Sequence, residues 1–248
     1  MGKPLNQQRR GKGSPAFTAP SHLYNVQARF RERSTIEMEG AVRGEVISFI
    51  DNPANSALLM AVKTEDGKMN FLIAPEGIAI GDEVRFGKKA EVGLGHVLPL
   101  SDIPDGTPIY NLELVPGDGG KIVRTAGSTA YIVSHLSGKV YVSLPSKTVK
   151  ILDENCRAAI GVISLGGRLD KPIFKAGTKH HMVSSTARYW PHVRGVAMSA
   201  YDHPYGGKQH HPGRSTIVAR NAPPGRKVGL LAAGSVGRKK GKKNAPNE

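Results

Sequence analysis

The stretch "TAYIVSHLSGKVYVSLP" (Thr129–Pro145) decides the fold class. Val140, Val142 and Leu144 alternate with Tyr141 and Ser143, the period of a half-buried strand. Ser137-Gly138 separates two such apolar runs, so the stretch reads as a hairpin. The same pattern extends both ways. "TPIYNLELV" (Thr107–Val115) reads as a strand, and "PGDGGKIVRTAG" (Pro116–Gly127) as a glycine-rich turn feeding another. "TVKILD" (Thr148–Asp153) and "AAIGVIS" (Ala158–Ser164) supply two more short strands, with Asp153-Glu154-Asn155 expected to cap one helical turn between them.

Nearer the start, "AVRGEVISFI" (Ala41–Ile50) is a strand candidate. "ALLMAVKT" (Ala57–Thr64) and "MNFLIA" (Met69–Ala74) flank the Asp66-Gly67 turn signal and make a second hairpin. "APEGIAIGDEVRFG" (Ala74–Gly87) closes the group with a Gly-Asp turn and a short strand. Helical periodicity of useful length is not evident. Closely spaced short strands argue small barrels. The expected fold is mainly β: an OB-like barrel over 36–90, a connector over 91–106 and an SH3-like barrel over 107–170. Long basic irregular extensions flank them, over 1–35 and 171–248.

Charge separates these regions. Residues 1–33 hold 7 Lys/Arg against 1 acid, residues 34–170 hold 13 against 17, and residues 171–248 hold 15 against 2. Basic, glycine-rich, non-periodic ends repel themselves and need a polyanion. Nucleic acid fits, because each neutralised phosphate releases a counterion. A membrane surface would want an amphipathic basic helix with apolar anchors, and neither end shows one. No apolar run suggests a leader or a span, and Asn6 stands where a myristoylation signal needs Ser or Thr. The one cysteine, Cys156, cannot form a disulfide within the chain and reads as a small buried thiol.

Several motifs carry candidate chemistry. "PGDGGK" (Pro116–Lys121) resembles a phosphate-cradling loop, but Ile122 stands where a nucleotide-binding loop needs Ser or Thr. Its glycines either touch an RNA phosphate or permit a tight connection. Arg168 and Lys171 either reach phosphate or lie in a solvated turn. Phe17, Tyr24 and Phe30 sit among basic residues, to stack on bases or to dock on the domain. In "KHHMVSSTARYWPHVRG" (Lys179–Gly195) the histidines lack the ligand spacing of a zinc site. Trp190 with Arg188, Tyr189 and Arg194 makes a better base-stacking and phosphate cluster.

"SAYDHPYGGKQHHPGR" (Ser199–Arg214) brings Asp202 and His203 together. A nucleophilic triad needs a positioned Ser or Cys beside the histidine, and no elbow holds Ser199. Successive side chains diverge, so Asp202 is a poor orienter for His203. Pro204, Gly206 and Gly207 instead suit a fixed irregular loop pressed against a crowded surface. Two rival readings are a histidine- or metal-dependent enzyme using residues 180–211, and a free-standing RNA chaperone with two barrels. Stoichiometric metal would mark the first, and a location mainly off ribosomes the second.

"VRGVAMSAYDHPYGG" (Val193–Gly207) closely resembles the signature of the ribosomal protein L-two family of the large subunit. "IYNLELVPGDGGKIVRTAG" (Ile109–Gly127), "CRAAIGVI" (Cys156–Ile163), "NAPPGRKVG" (Asn221–Gly229) and "NQQRRGKGS" (Asn6–Ser14) agree in order and resemble its archaeal branch. The resemblance implies two barrels with extensions buried in large-subunit rRNA, close to but outside the peptidyl transferase centre. It implies roles in assembling that centre, in subunit association and in tRNA binding, in the cytoplasm and on the ribosome, with no catalytic residue. Neighbouring large-subunit proteins and the small subunit are the other implied partners. No intrinsic cofactor is expected, only Mg²⁺ that accompanies rRNA. His203 matches the family's much-discussed histidine and is carried over as structural or RNA-contacting, since the family picture makes RNA the catalyst. Arg124 matches a family arginine. Lys208 replaces a family glycine and Asn55 a family arginine, and Asn cannot reproduce a bidentate guanidinium contact. The expected rRNA-binding set is Arg9, Arg10, Lys12, Lys121, Arg124, Arg168, Arg188, Trp190, Arg194, Asp202, His203, Gly206, Gly207, Lys208, Arg214, Arg220, Arg226 and Lys227.

Overall fold

The computed structural model describes residues 2–207 and 216–233. The chain forms two compact units: Pro20–Thr178, and a second made from the residues on either side of it. The first unit is a mainly β, barrel-rich fold, as the sequence predicts. Its strands are β1 (Val42–Ile50), β2 (Leu59–Thr64), β3 (Met69–Ile73), β4 (Glu83–Phe86), β5 (Val97–Pro99), β6 (Pro108–Tyr110), β7 (Ala130–Leu136), β8 (Lys139–Ser143), β9 (Val149–Asp153) and β10 (Arg157–Ile160). They hydrogen-bond in the order β3-β2-β1-β4-β5-β10-β6-β7-β8-β9.

Two apolar cores lie along this sheet. Val46, Leu59, Met60, Leu72, Val84 and Phe86 fill the first. Leu98, Leu100, Ile109, Ile132, Val140, Val142 and Cys156 fill the second. The alternation read in the opening hairpin sets the second core: Val140 and Val142 are fully buried while Tyr141 between them is not. Ser137 and Gly138 both adopt positive φ (48° and 75°), the turn whose twist matches paired strands. Residues 91–106 contribute β5 and the buried Leu100 and Ile103. Cys156 is fully buried, and burial pushes its thiol up to about 11.

Four expectations need correction. The glycine-rich turn of "PGDGGKIVRTAG" feeds no strand: Ile122 makes an isolated bridge to Leu112, and Val123 then turns at φ 55°. "TPIYNLELV" is not one strand: β6 stops at Tyr110 because Asn111 turns at φ 49°. Asp153-Glu154-Asn155 caps no helix; Asp153 Oδ1 accepts from the Asn155 N–H at 2.9 Å in a side-chain turn leading into β10. Helices also occur: α1 (Asn6–Arg10), α2 (Thr35–Glu39) and α3 (Ala176–Ser184). No residue of α3 is buried, so it has no apolar stripe for periodicity to reveal. The Ser34 hydroxyl accepts from the Glu37 N–H at 3.3 Å and starts α2. Among the described residues no helix is long and apolar enough to cross a membrane.

The basic stretch before α2 is stitched to the β unit. Asn52, fully buried, accepts from the Asn25 N–H and donates to the Val26 carbonyl, both at 3.0 Å. The Arg29 N–H donates to Phe71 and the Phe30 N–H to Gly119, both at 3.1 Å. Of the three aromatics left open by sequence, Phe30 docks in the core and Tyr24 stays exposed.

Arg157 closes this strap. Its guanidinium donates to Glu113 Oε1 at 2.8 and 3.2 Å, to Glu37 Oε2 at 3.2 Å and to the Arg31 carbonyl at 2.9 Å. It also lies 5.4 Å from the centre of the Phe30 ring. Arg31 pairs with Glu37 at 2.6 Å and with Asp66 at 2.9 Å. Burial pushes the Glu37 carboxyl above its ordinary value against the pull of Arg157, Arg31 and Arg33. Burial pushes Glu113 up as well, but the Arg157 and Gly117 hydrogen bonds and the Arg157 charge hold it below its ordinary value. Removing one member of such a buried set strands the others without partners. Arg157→Met should therefore destabilise the chain by about 3–5 kcal/mol in urea unfolding, and a loss under about 1 kcal/mol would show that the network is not under the load assigned to it.

Candidate nucleic-acid interface

The β unit presents fewer free cations than its sequence suggests. In "PGDGGK" the Gly117 and Gly119 N–H groups donate to the Glu113 carboxylate at 3.2 and 3.1 Å. The anion this loop cradles is the protein's own. Asp118 accepts from the Leu114 and Gly120 N–H groups at 3.1 and 3.3 Å and pairs with the exposed Lys121 at 3.3 Å. Arg124 turns inward, donating to the Gly120 carbonyl at 3.2 Å and to that of Ala28 at 2.8 Å. Burial, with the neighbouring Arg29 charge, depresses its pKa. Arg168 is exposed and donates to the Ser56 carbonyl at 3.3 Å.

The second unit is built differently. A 3₁₀ turn (Gly195–Ala197) leads into the Asp202-His203 loop. The Asp202 and His203 N–H groups donate to the Ser199 carbonyl at 3.0 and 3.1 Å, and the Gly207 N–H returns to Met198 at 3.2 Å. This winding needs missing side chains. A Cβ on Gly206 would sit 2.1 Å from the Ser199 oxygen, and one on Gly195 would sit 2.2 Å from the His203 ring.

No dyad forms. Asp202 pairs with Lys3 at 3.2 Å, half exposed, while His203 Nδ1 accepts from the Tyr205 N–H at 3.0 Å. The Ser199 hydroxyl accepts from the Tyr201 N–H at 3.1 Å. His203 is therefore held as the neutral Nε2–H tautomer, and burial lowers its pKa. The Tyr205 ring packs edge-on to His203 at 5.2 Å, and its hydroxyl donates to the Val228 carbonyl at 3.4 Å. Two short parallel strands, β11 (Ile217–Val218) and β12 (Leu230–Leu231), lie in the same unit.

The sequence-predicted cations of this unit mostly face solvent. Arg9 and Arg10 end α1, and Lys12, Arg188, Arg194, Arg220 and Arg226 are all exposed; Lys227 is half-buried. Trp190 is half-buried under the Lys179 ammonium, 5.5 Å from its ring centre. Gly207 is exposed at φ 112°. Lys208 and Arg214 lie outside the described residues. Among the described residues no three His, Cys, Asp or Glu side chains converge as a metal site.

Sequence reasoning did not single out Lys3, Gly195 or the position of Phe17. Phe17 meets Tyr189 at 5.9 Å, and Tyr189 meets His192 at 5.5 Å. The only signal for this wall was the recurrence of aromatics among cations at both ends of the chain. Charge follows the units: the second holds 17 Lys/Arg against 2 acids, the first 18 against 18.

Residues 93–227 match the family described as Ribosomal Proteins L2, C-terminal domain. Over 240 residues the chain is 48% identical to the large ribosomal subunit protein uL2 of Methanococcus vannielii, covering 96% of this chain and all of that protein. It is 46% identical to the uL2 proteins of Methanothermobacter thermautotrophicus and Methanocaldococcus jannaschii, each covering 97% of this chain and all of the relative.

Protonating His203 removes the acceptor for the Tyr205 N–H. A depressed pKa in the folded state means that the loop is favoured above the unfolded value of 6.5, and that this contribution fades as pH falls. NMR titration of the His203 ring should show a midpoint below 6.5, and a midpoint at or above it would contradict the acceptor geometry.

Proposed function

As the chain belongs to the ribosomal protein L2 family, and is thus a structural component of the large ribosomal subunit and not an enzyme, we propose that it is a primary rRNA-binding protein of that subunit. Its basic unit supports assembly of the peptidyl transferase region, subunit association and tRNA binding. Its partners are large-subunit rRNA, neighbouring large-subunit proteins and the small subunit, on cytoplasmic ribosomes. Mg²⁺ enters with the rRNA and not through a protein site.

One observation carries this reading: all of the +15 net charge resides in one unit, and the β unit is neutral. A unit so charged, with exposed arginines spread over residues 9–226, suits an extended run of phosphates rather than a single small anion. Exposed Arg9, Arg10, Arg188, Arg194, Arg220 and Arg226 are assigned to phosphate. Arg124, Gly206 and Gly207 are assigned to shaping the surfaces that meet RNA. His203 is neutral and fixed, which suits a positioned hydrogen-bond donor to RNA rather than a proton shuttle.

Binding of the full chain to a large-subunit rRNA fragment should weaken about 10³- to 10⁵-fold between about 50 and 200 mM salt. Arg194→Gln and Arg220→Gln should each reduce the log–log slope by about 1. Affinity that stays flat across this range would refute an electrostatic rRNA contact.

A further inference from the structure

We propose that a cavity within the basic unit receives the base of one unpaired RNA nucleotide. This rests on the rRNA-binding reading and adds a site to it. The cavity measures about 680 Å³ and is lined by Arg9, Arg10, Phe17, Tyr189, His192 and His203, among others. That volume falls in the range of sites for small organic groups.

The wall chemistry selects the occupant. Phe17, Tyr189 and His192 form a contiguous run of rings, with centroid separations of 5.9 and 5.5 Å. Phe17 and Tyr189 are half-buried and His192 is exposed, so ring surface remains for another planar group. Arg9 and Arg10 stand exposed at the C-terminal end of α1 on the same cavity. Rings beside guanidinium groups match a base beside its phosphate. His203 adds a directional group: with Nδ1 occupied by the Tyr205 N–H, its Nε2–H remains to donate. Asp202 also lines the cavity, but Lys3 pairs with it at 3.2 Å and offsets its charge.

The occupant is unpaired because a base within a helix hides its faces in the stack. It belongs to a strand because the unit's 17 Lys/Arg far exceed what one mononucleotide needs.

The test uses the full chain with a mixed-sequence 12-nucleotide single-stranded RNA and a duplex of the same length, at several salt concentrations. The double variant Phe17→Leu/Tyr189→Leu should weaken single-strand binding about 5- to 150-fold. Its salt slope and its duplex affinity should stay as in the wild type. Ultraviolet cross-linking of the unmodified chain to the single strand, mapped by mass spectrometry, should place adducts on Phe17, Tyr189 or His192. Single-strand affinity within twofold of wild type, or adducts only elsewhere, would overturn the site. So would full competition by free nucleoside monophosphates, which would assign the cavity to a small nucleotide. In each of those cases salt-dependent binding to both RNAs would leave the rRNA reading standing. Absence of salt-dependent binding to either RNA would remove both.

Discussion

The β unit depends on one buried guanidinium. Arg157 is 4% exposed and reaches three separate parts of the chain: Glu113 after β6, Glu37 in α2, and the Arg31 carbonyl of the strap. Arginine suits this place because its planar fork offers five donors in fixed directions and stays charged when buried. Glu113, fully buried, accepts the guanidinium at Oε1 and the Arg157 backbone N–H at Oε2, and also gathers the Gly117 and Gly119 N–H groups. A buried ion network is seldom more stable than well-packed apolar residues of the same volume. Its contribution here is specification: an apolar core would fill the space without dictating which strap residue, helix and loop meet there.

That arrangement separates two kinds of stability. The β unit has two apolar cores and equal numbers of charges. In the basic unit, among the described residues, Leu5 and Val228 are the buried apolar side chains. Its order comes instead from backbone hydrogen bonds and close approaches, such as Gly195 against the His203 ring. Such a unit has little apolar burial to offset its self-repulsion. In the function proposed above, the polyanion that relieves this repulsion is part of the unit's energetics as well as its ligand.

The strands were legible because burial on one face imposes a period of two, as at Val140 and Val142. The Ser137-Gly138 and Asp66-Gly67 turns were legible because few residues tolerate their backbone angles. Glu113 was not: inside "TPIYNLELV" it looks like the polar member of an alternating strand, and only the turn at Asn111 sends it inward. The inward course of Arg124 was equally hidden, since a cation's partners can be carbonyls from residues far away in sequence, here Ala28. In the basic unit, the sequence showed that Gly206 and Gly207 shape a loop. It could not show that Gly195 makes room for His203, or that Phe17 reaches Tyr189 across most of the chain, because neither contact leaves a local period. The exposed arginines were legible from composition alone, and the division of charge became sharper once the strap left the basic unit and joined the neutral one.

Arg157 fastens residues 25–33 to the β unit through the Arg31 carbonyl and the Phe30 ring. Hydrogen exchange at the Arg29 and Phe30 amides reads this directly, since those groups donate to Phe71 and Gly119. Both amides should be strongly protected in the RNA-free chain and should lose that protection selectively in Arg157→Met, with the β1–β2 ladder still protected. Rapid exchange at both amides in the unmodified chain would contradict it.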